Sequence, residues 1–224
     1  MEKRNNTGLG LIKTTIERAQ NEKSLFNSAL KKLVNSSEEE LDNFLKGKID
    51  IRIKDGILRL ISDNQTISLK SLTGKRLIYQ AEKIFKSYID PDFVNWGLNK
   101  FGIATPETLI KVDEVVSNGK FMDVFRALPG TWNQKWLSQN QVIEFCETFS
   151  SWLKQGGDAT MFLCKIDENK LIDENKPQDN LFVVYVRVRS DGLDVRVFRL
   201  ERDYVWRGGA RHRVVSPQLI PLAE

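Results

Sequence analysis

Two hydrophobic periods divide this chain. Leu9, Leu11, Ile12, Ile16 and Ala19 recur at helical spacing, and Leu25, Phe26, Leu30 and Leu33 resume it after Asn21. Ser37 opens a second helix, because its side chain can cap while Glu40 reaches back and acidic residues fill the positive first turn. From Ile49 the period changes to two. Ile49, Ile51 and Ile53 alternate with Asp50, Arg52 and Lys54, and Asp55-Gly56 is a favoured hairpin turn. QTISLKSL, residues 65–72, reads as a short further strand. Thr73 starts another helix, with Leu77, Ile78, Ala81, Ile84 and Phe85 on one face, closed by Tyr88 and Ile89.

DPDFVNWGLNKFGIATP, residues 90–106, is aperiodic and turn-rich and marks the expected internal boundary. Thr105-Pro106-Glu107 restarts a helix with a capping residue, a proline at the first helical position and an acid in the first turn. KFMDVFRALPG makes one more short helix. Ser138 and Gln141 form a capping box, and the helix it opens carries Val142, Phe145, Cys146, Phe149 and Trp152 on one stripe, ending at Gly156-Gly157. TMFLCKI, LFVVYVRVR, LDVRVFRL and RHRVV then read as three or four strands of an antiparallel meander. Helices first and strands last predict an α+β fold. N-terminal helices with a β-hairpin occupy residues 1–89, and helices packed on a C-terminal antiparallel β-meander occupy residues 90–224.

The strands also carry the candidate chemistry. With Asp191-Gly192 as a two-residue loop, Val188 opposes Val195 and Val186 opposes Val197 on an apolar face. The other face pairs Arg189 with Asp194, Arg187 with Arg196 and Tyr185 with Phe198. Like charges directly opposite are destabilising, so an anion would reward the Arg187–Arg196 pair; otherwise both arginines splay into water. In VWRGGARHRVVSP, residues 205–217, Gly208-Gly209 suits a hairpin turn better than a phosphate cradle, since no helix follows. Arg211 and Arg213 then share one face of the final strand and His212 takes the other. On a common face, Arg187, Arg196, Arg211 and Arg213 beside Tyr185 and Phe198 would stack and neutralise single-stranded nucleic acid.

Composition adjusts this picture modestly. The 224 residues hold 34 Lys and Arg against 30 Asp and Glu, a net charge of +4 that favours anionic partners. With one histidine and two cysteines, a structural zinc site is close to excluded, and neither metal nor cofactor is expected. Cys146 and Cys164 sit at apolar phases and read as buried free thiols. No run approaches the roughly 18–20 apolar residues of a membrane span, and MEKRNNTGLG lacks the pattern of a secretory signal. A cytoplasmic protein without membrane partners is expected. The sequence carries no G-x-S-x-G, Walker or dinucleotide glycine motif, and LTGKR lacks the upstream glycine. His212, oriented by Asp203 or Glu201, is the one candidate general base, and it reads more simply as a packed strand residue. Trp96, Trp132, Trp136, Trp152 and Trp206 are either contact hot spots or core plugs.

Residues 137–166, LSQNQVIEFCETFSSWLKQGGDATMFLCKI, together with DYVWRGGARHRVVSPQL, residues 203–219, resemble the C-terminal region of uncharacterised hypothetical proteins from small-genome bacteria of the candidate phyla. DPDFVNWGLNKFGIATPETLIKVDEVVSNGKFMDVF is similar to the segment preceding it there, so the resemblance spans roughly residues 90–219. It implies a bacterial source and a reusable C-terminal unit, and carries over no activity or site. The expected function is non-enzymatic binding, with RNA or single-stranded DNA on the arginine and aromatic face. A protein-interaction module using exposed tryptophan loops is the alternative, and a hydrolytic enzyme is the least favoured reading.

Overall fold

A computed structural model describes residues 56–63 and 65–219. The helices expected over residues 9–33 and from Ser37, and the strand at residues 49–53, lie outside the described residues. The strands are β1 (Leu58–Leu60), β2 (Ile67–Leu69), β3 (Tyr88–Ile89), β4 (Thr108–Val115), β5 (Ala159–Lys165), β6 (Leu181–Arg189), β7 (Gly192–Arg199) and β8 (Arg213–Pro217). Among the described residues three α-helices accompany them: α1 (Asp92–Asn95), α2 (Phe121–Arg126) and α3 (Gln139–Thr148). The eight strands form one sheet in the order β1-β4-β8-β5-β6-β7-β3, with β2 also paired to β4. The fold class is α+β.

The sheet is mixed. β5, β6 and β7 are the expected antiparallel meander, but β8 pairs parallel with β5 and antiparallel with β4, and β3 pairs parallel with β7. The expected division at Asp90 falls inside this sheet: β1, β2 and β3 come from before it, and their partners β4 and β7 from after it. Residues 56–219 form one compact unit.

Both faces of the sheet are covered. On one, Phe162, Val184, Val186, Val195, Val197 and Val215 meet Val142, Phe145 and Cys146 of α3, with Ile78, Phe85 and Phe93. On the other, Met161, Leu163, Val183, Tyr185 and Val214 meet Phe121, Val124 and Phe125 of α2, with Trp132 and Trp206. Strands buried on both sides read as continuous apolar runs, and all seven residues of β5 are buried. Trp132 and Trp206 are core plugs, while Trp96, Trp136 and Trp152 are half-buried. Cys146 and Cys164 are free and buried, and desolvation pushes both thiols up.

α3 begins as its sequence dictates. The Gln141 backbone N–H donates to Ser138 Oγ at 3.2 Å, and the Ser138 N–H donates to Gln141 Oε1 at 2.9 Å. Two other expected helices are absent. Residues 73–89 form only a 3-10 turn at Ile78–Gln80 and the short strand β3. Its apolar residues reach the core from irregular backbone, because Gly74 takes φ 76° against the backbone of residues 102–103. Thr105-Pro106-Glu107 leads into strand β4, whose Ile110 and Val112 face one core and Val115 the other. A proline and an acid open strands as readily as helices when a sheet edge is waiting for a partner. Among the described residues no helix is long and apolar enough to cross a membrane.

Candidate anion-binding surface

The register of the β6–β7 hairpin decides which charges meet. Its loop is Ser190-Asp191, so Arg189 opposes Gly192, Arg187 opposes Asp194, Tyr185 opposes Arg196 and Val183 opposes Phe198. The expected register is therefore displaced by two residues. Ser190 and Asp191 keep negative φ, as in a type I turn, which favours glycine at its fourth position. Gly192 fills that position at φ 138°, where a Cβ would come within 2.8 Å of Lys86 Cβ. A slip of two preserves the faces, so the valines stay in the core, but it puts Arg187 in place of Arg189 directly opposite Asp194 and Tyr185 in place of Arg187 opposite Arg196.

Asp194 supplies from within the chain the anion that the arginines need. Its side chain is 5% exposed. Arg187 Nη2 donates to Oδ2 at 2.6 Å, Arg196 Nε donates to Oδ1 at 3.1 Å, and Arg189 Nε lies 3.6 Å from Oδ2. One carboxylate thus serves three guanidinium groups, an excess of two positive charges within the cluster. The bond to Asp194 pushes the Arg196 guanidinium further up, so it stays charged. The buried Arg187 Nε has no hydrogen-bond partner.

Aromatic rings interleave with these cations. The Arg196 guanidinium lies 5.0 Å from the Tyr88 ring centroid, and that of Arg202 lies 4.4 Å from Phe198 and 6.0 Å from Tyr204. Tyr88 is 40% exposed and Tyr204 50%. Tyr185 behaves otherwise than expected. It is buried, edge-on to Phe198 at 5.5 Å and tilted against Trp206 at 5.1 Å, so no external base can stack on it. Phe198 is half-buried, with Arg202 over its ring.

Arg211 and Arg213 do not join the set, because β8 lies beside β4 and β5 instead of following β7. Arg213 is opposite Thr160, which is opposite Val186, so it belongs to the other face from Arg187. There its Nη1 donates to the Ser151 and Leu153 carbonyls at 3.4 and 3.3 Å. Arg211 precedes the strand at φ 56° and pairs with Glu114 at 3.4 Å, which also binds Arg59 at 2.6 Å. The turn at Gly208-Gly209 is a 3-10 turn rather than a hairpin. Gly208 is needed for close approach, since a Cβ there would meet the Val116 carbonyl oxygen at 2.5 Å.

His212 is packed. Its Nδ1 accepts the Ala159 N–H at 3.0 Å, its ring meets Trp206 edge-on at 5.2 Å, and desolvation holds its pKa below the usual 6.5. Asp203, the expected orienting acid, pairs instead with Lys120 at 2.5 Å. The residues that sequence reasoning missed are Asp194 as internal anion, and Arg202, Tyr88 and Tyr204 as neighbours. The alternation of Arg202 and Tyr204 just past β7 was a readable signal; the partnership of Tyr88 with Arg196 was not, because it depends on parallel pairing across more than 100 positions. The fold and this surface define an α+β chain with an arginine cluster on its β6–β7 hairpin. No family model, no curated protein and no solved structure matches the chain.

Proposed function

We propose that the protein binds single-stranded nucleic acid, RNA or DNA, without catalysing a reaction on it. Arg189, Arg196 and Arg202 meet the phosphates, and Tyr88 and Tyr204 meet the bases. The observation that carries this reading is the ratio in the Asp194 cluster: three guanidinium groups share one carboxylate beside exposed rings. Guanidinium forks match phosphate oxygens, and tyrosine faces stack on any base, so binding is strong without reading sequence throughout. Arg187, enclosed and turned to Asp194, holds the cluster together. Arg211, Arg213 and Tyr185 belong to the scaffold.

A salt titration of fluorescence anisotropy with a labelled oligonucleotide tests the reading. Three phosphate contacts give a slope of log K against log salt near ~−2, from ~0.7 per contact on a single strand. Arg189→Ala with Arg196→Ala should reduce the slope to about a third of that value. No binding at low salt would overturn the reading and turn attention to protein partners. Phe101, 65% exposed, and Leu171, 80% exposed, would then be the first residues to test.

A further inference from the structure

Beside the short strand β3 an open groove of about 390 Å³ is lined by Tyr79, Glu82, Phe85, Lys86, Tyr88 and Val94, with the Asp90 segment at its end. That volume falls within the roughly 300–1,000 Å³ of small-ligand sites. Its lining mixes tyrosine rings and apolar side chains with the polar residues Glu82, Lys86, Ser87 and Asp90. Tyr88 belongs both to this groove and to the arginine cluster, since it carries the Arg196 guanidinium 5.0 Å from its centroid. The groove is thus continuous with the surface proposed to hold phosphates.

The polar groups of the groove narrow its occupant. Lys86 is exposed and cationic at the rim. Of the two carboxylates, Asp90 is already engaged: Oδ1 accepts the Asp92 N–H at 3.1 Å and Oδ2 the Val197 N–H at 3.4 Å. Glu82 is exposed and forms no ion pair among the described residues. A free carboxylate in an aromatic groove calls for a flat ring with two adjacent N–H donors on one edge. Guanine has that edge in N1–H and the N2 amino group. Uracil flanks its single N–H with carbonyl oxygens that repel a carboxylate, and adenine and cytosine place an acceptor nitrogen beside their amino groups.

We infer that this groove is a guanine subsite of the proposed single-strand surface. Glu82 accepts both N–H groups, the Tyr79 and Tyr88 rings flank the base, and Lys86 and Arg196 flank its phosphate. The inference rests on the nucleic-acid reading and adds to it a base preference at one position.

The test compares full-length protein bound to a nine-nucleotide oligouridine and to the same strand with guanine at its centre. The guanine strand should bind at least about five-fold tighter, the lower end of what one bidentate side-chain-to-base pair contributes. Glu82→Gln keeps the shape but loses the second acceptor and the negative charge; it should abolish that advantage without weakening oligouridine, whose carbonyl oxygens no longer face a carboxylate. Equal binding of the two strands by wild type would overturn the subsite, as would an advantage that survives in the variant. Failure to bind oligouridine at all would instead overturn the underlying reading, so the two failures are distinct.

Discussion

Replacing Asp194 by Asn should weaken the fold and strengthen polyanion binding at the same time. The Asp194 side chain is 5% exposed and that of Arg187 18%, so their 2.6 Å contact is an enclosed charged hydrogen bond. Such a bond contributes about 1.5–3 kcal/mol. Arg189 and Arg196 are 39% and 41% exposed, and their contacts, screened by water, add at most about 1 kcal/mol each. The variant should therefore lose about 2–4 kcal/mol in urea unfolding followed by tryptophan fluorescence. Removing the internal competitor also frees a guanidinium for phosphate, so the salt slope should steepen by about 0.7. A loss below about 0.5 kcal/mol would refute the structural reasoning. Weaker binding by a folded variant would refute the link between the cluster and its ligand.

Fragments should locate the folding unit: residues 56–219 should unfold cooperatively, whereas a fragment starting at Asp90 should not, because it lacks Leu69, Ile78, Phe85 and the strands that cover β4 and β7. Burial lowers the Lys135 ammonium from 10.5 to about 8. The unfolded chain then binds more protons between those values, so stability should rise from pH 8 to 10.5, and Lys135→Met should remove that part of the rise in urea midpoints. His212 is depressed in the same sense from 6.5, so its contribution is present above that pH and lost as pH falls through the folded value. His212→Gln should flatten the stability profile just below pH 6.5. A thiol reagent should label Cys146 and Cys164 only as fast as the protein opens, a rate read directly against urea concentration.

Local chemistry was legible in this sequence and long-range pairing was not. The capping box at Ser138 and Gln141, the strand at LFVVYVRVR and the burial of both cysteines depend on neighbours within a few positions, and each is present as read. The segments 73–89 and 105–115 were misread because their apolar spacing fits a helix, while sheet edges and the close approach at Gly74 impose other backbone. The place of β8 followed the assumption that consecutive strands are neighbours, yet it inserts between β4 and β5. That single displacement separates Arg211 and Arg213 from Arg187 and Arg196. The hairpin faces survived a two-residue slip and so did the Arg189–Asp194 pair, whereas the convergence of Arg187 and Arg196 on the same carboxylate was not readable.

Photocrosslinking of the full-length protein to an oligonucleotide carrying 5-iodouridine, followed by mass spectrometry of the adducts, tests the central claim most directly. Iodouracil reacts with aromatic side chains stacked upon it. The account predicts adducts on Tyr88 and Tyr204, lost when salt is raised or when Arg189 and Arg196 are changed to Ala. Adducts confined to Phe101 or to any ring away from the Asp194 cluster would contradict it.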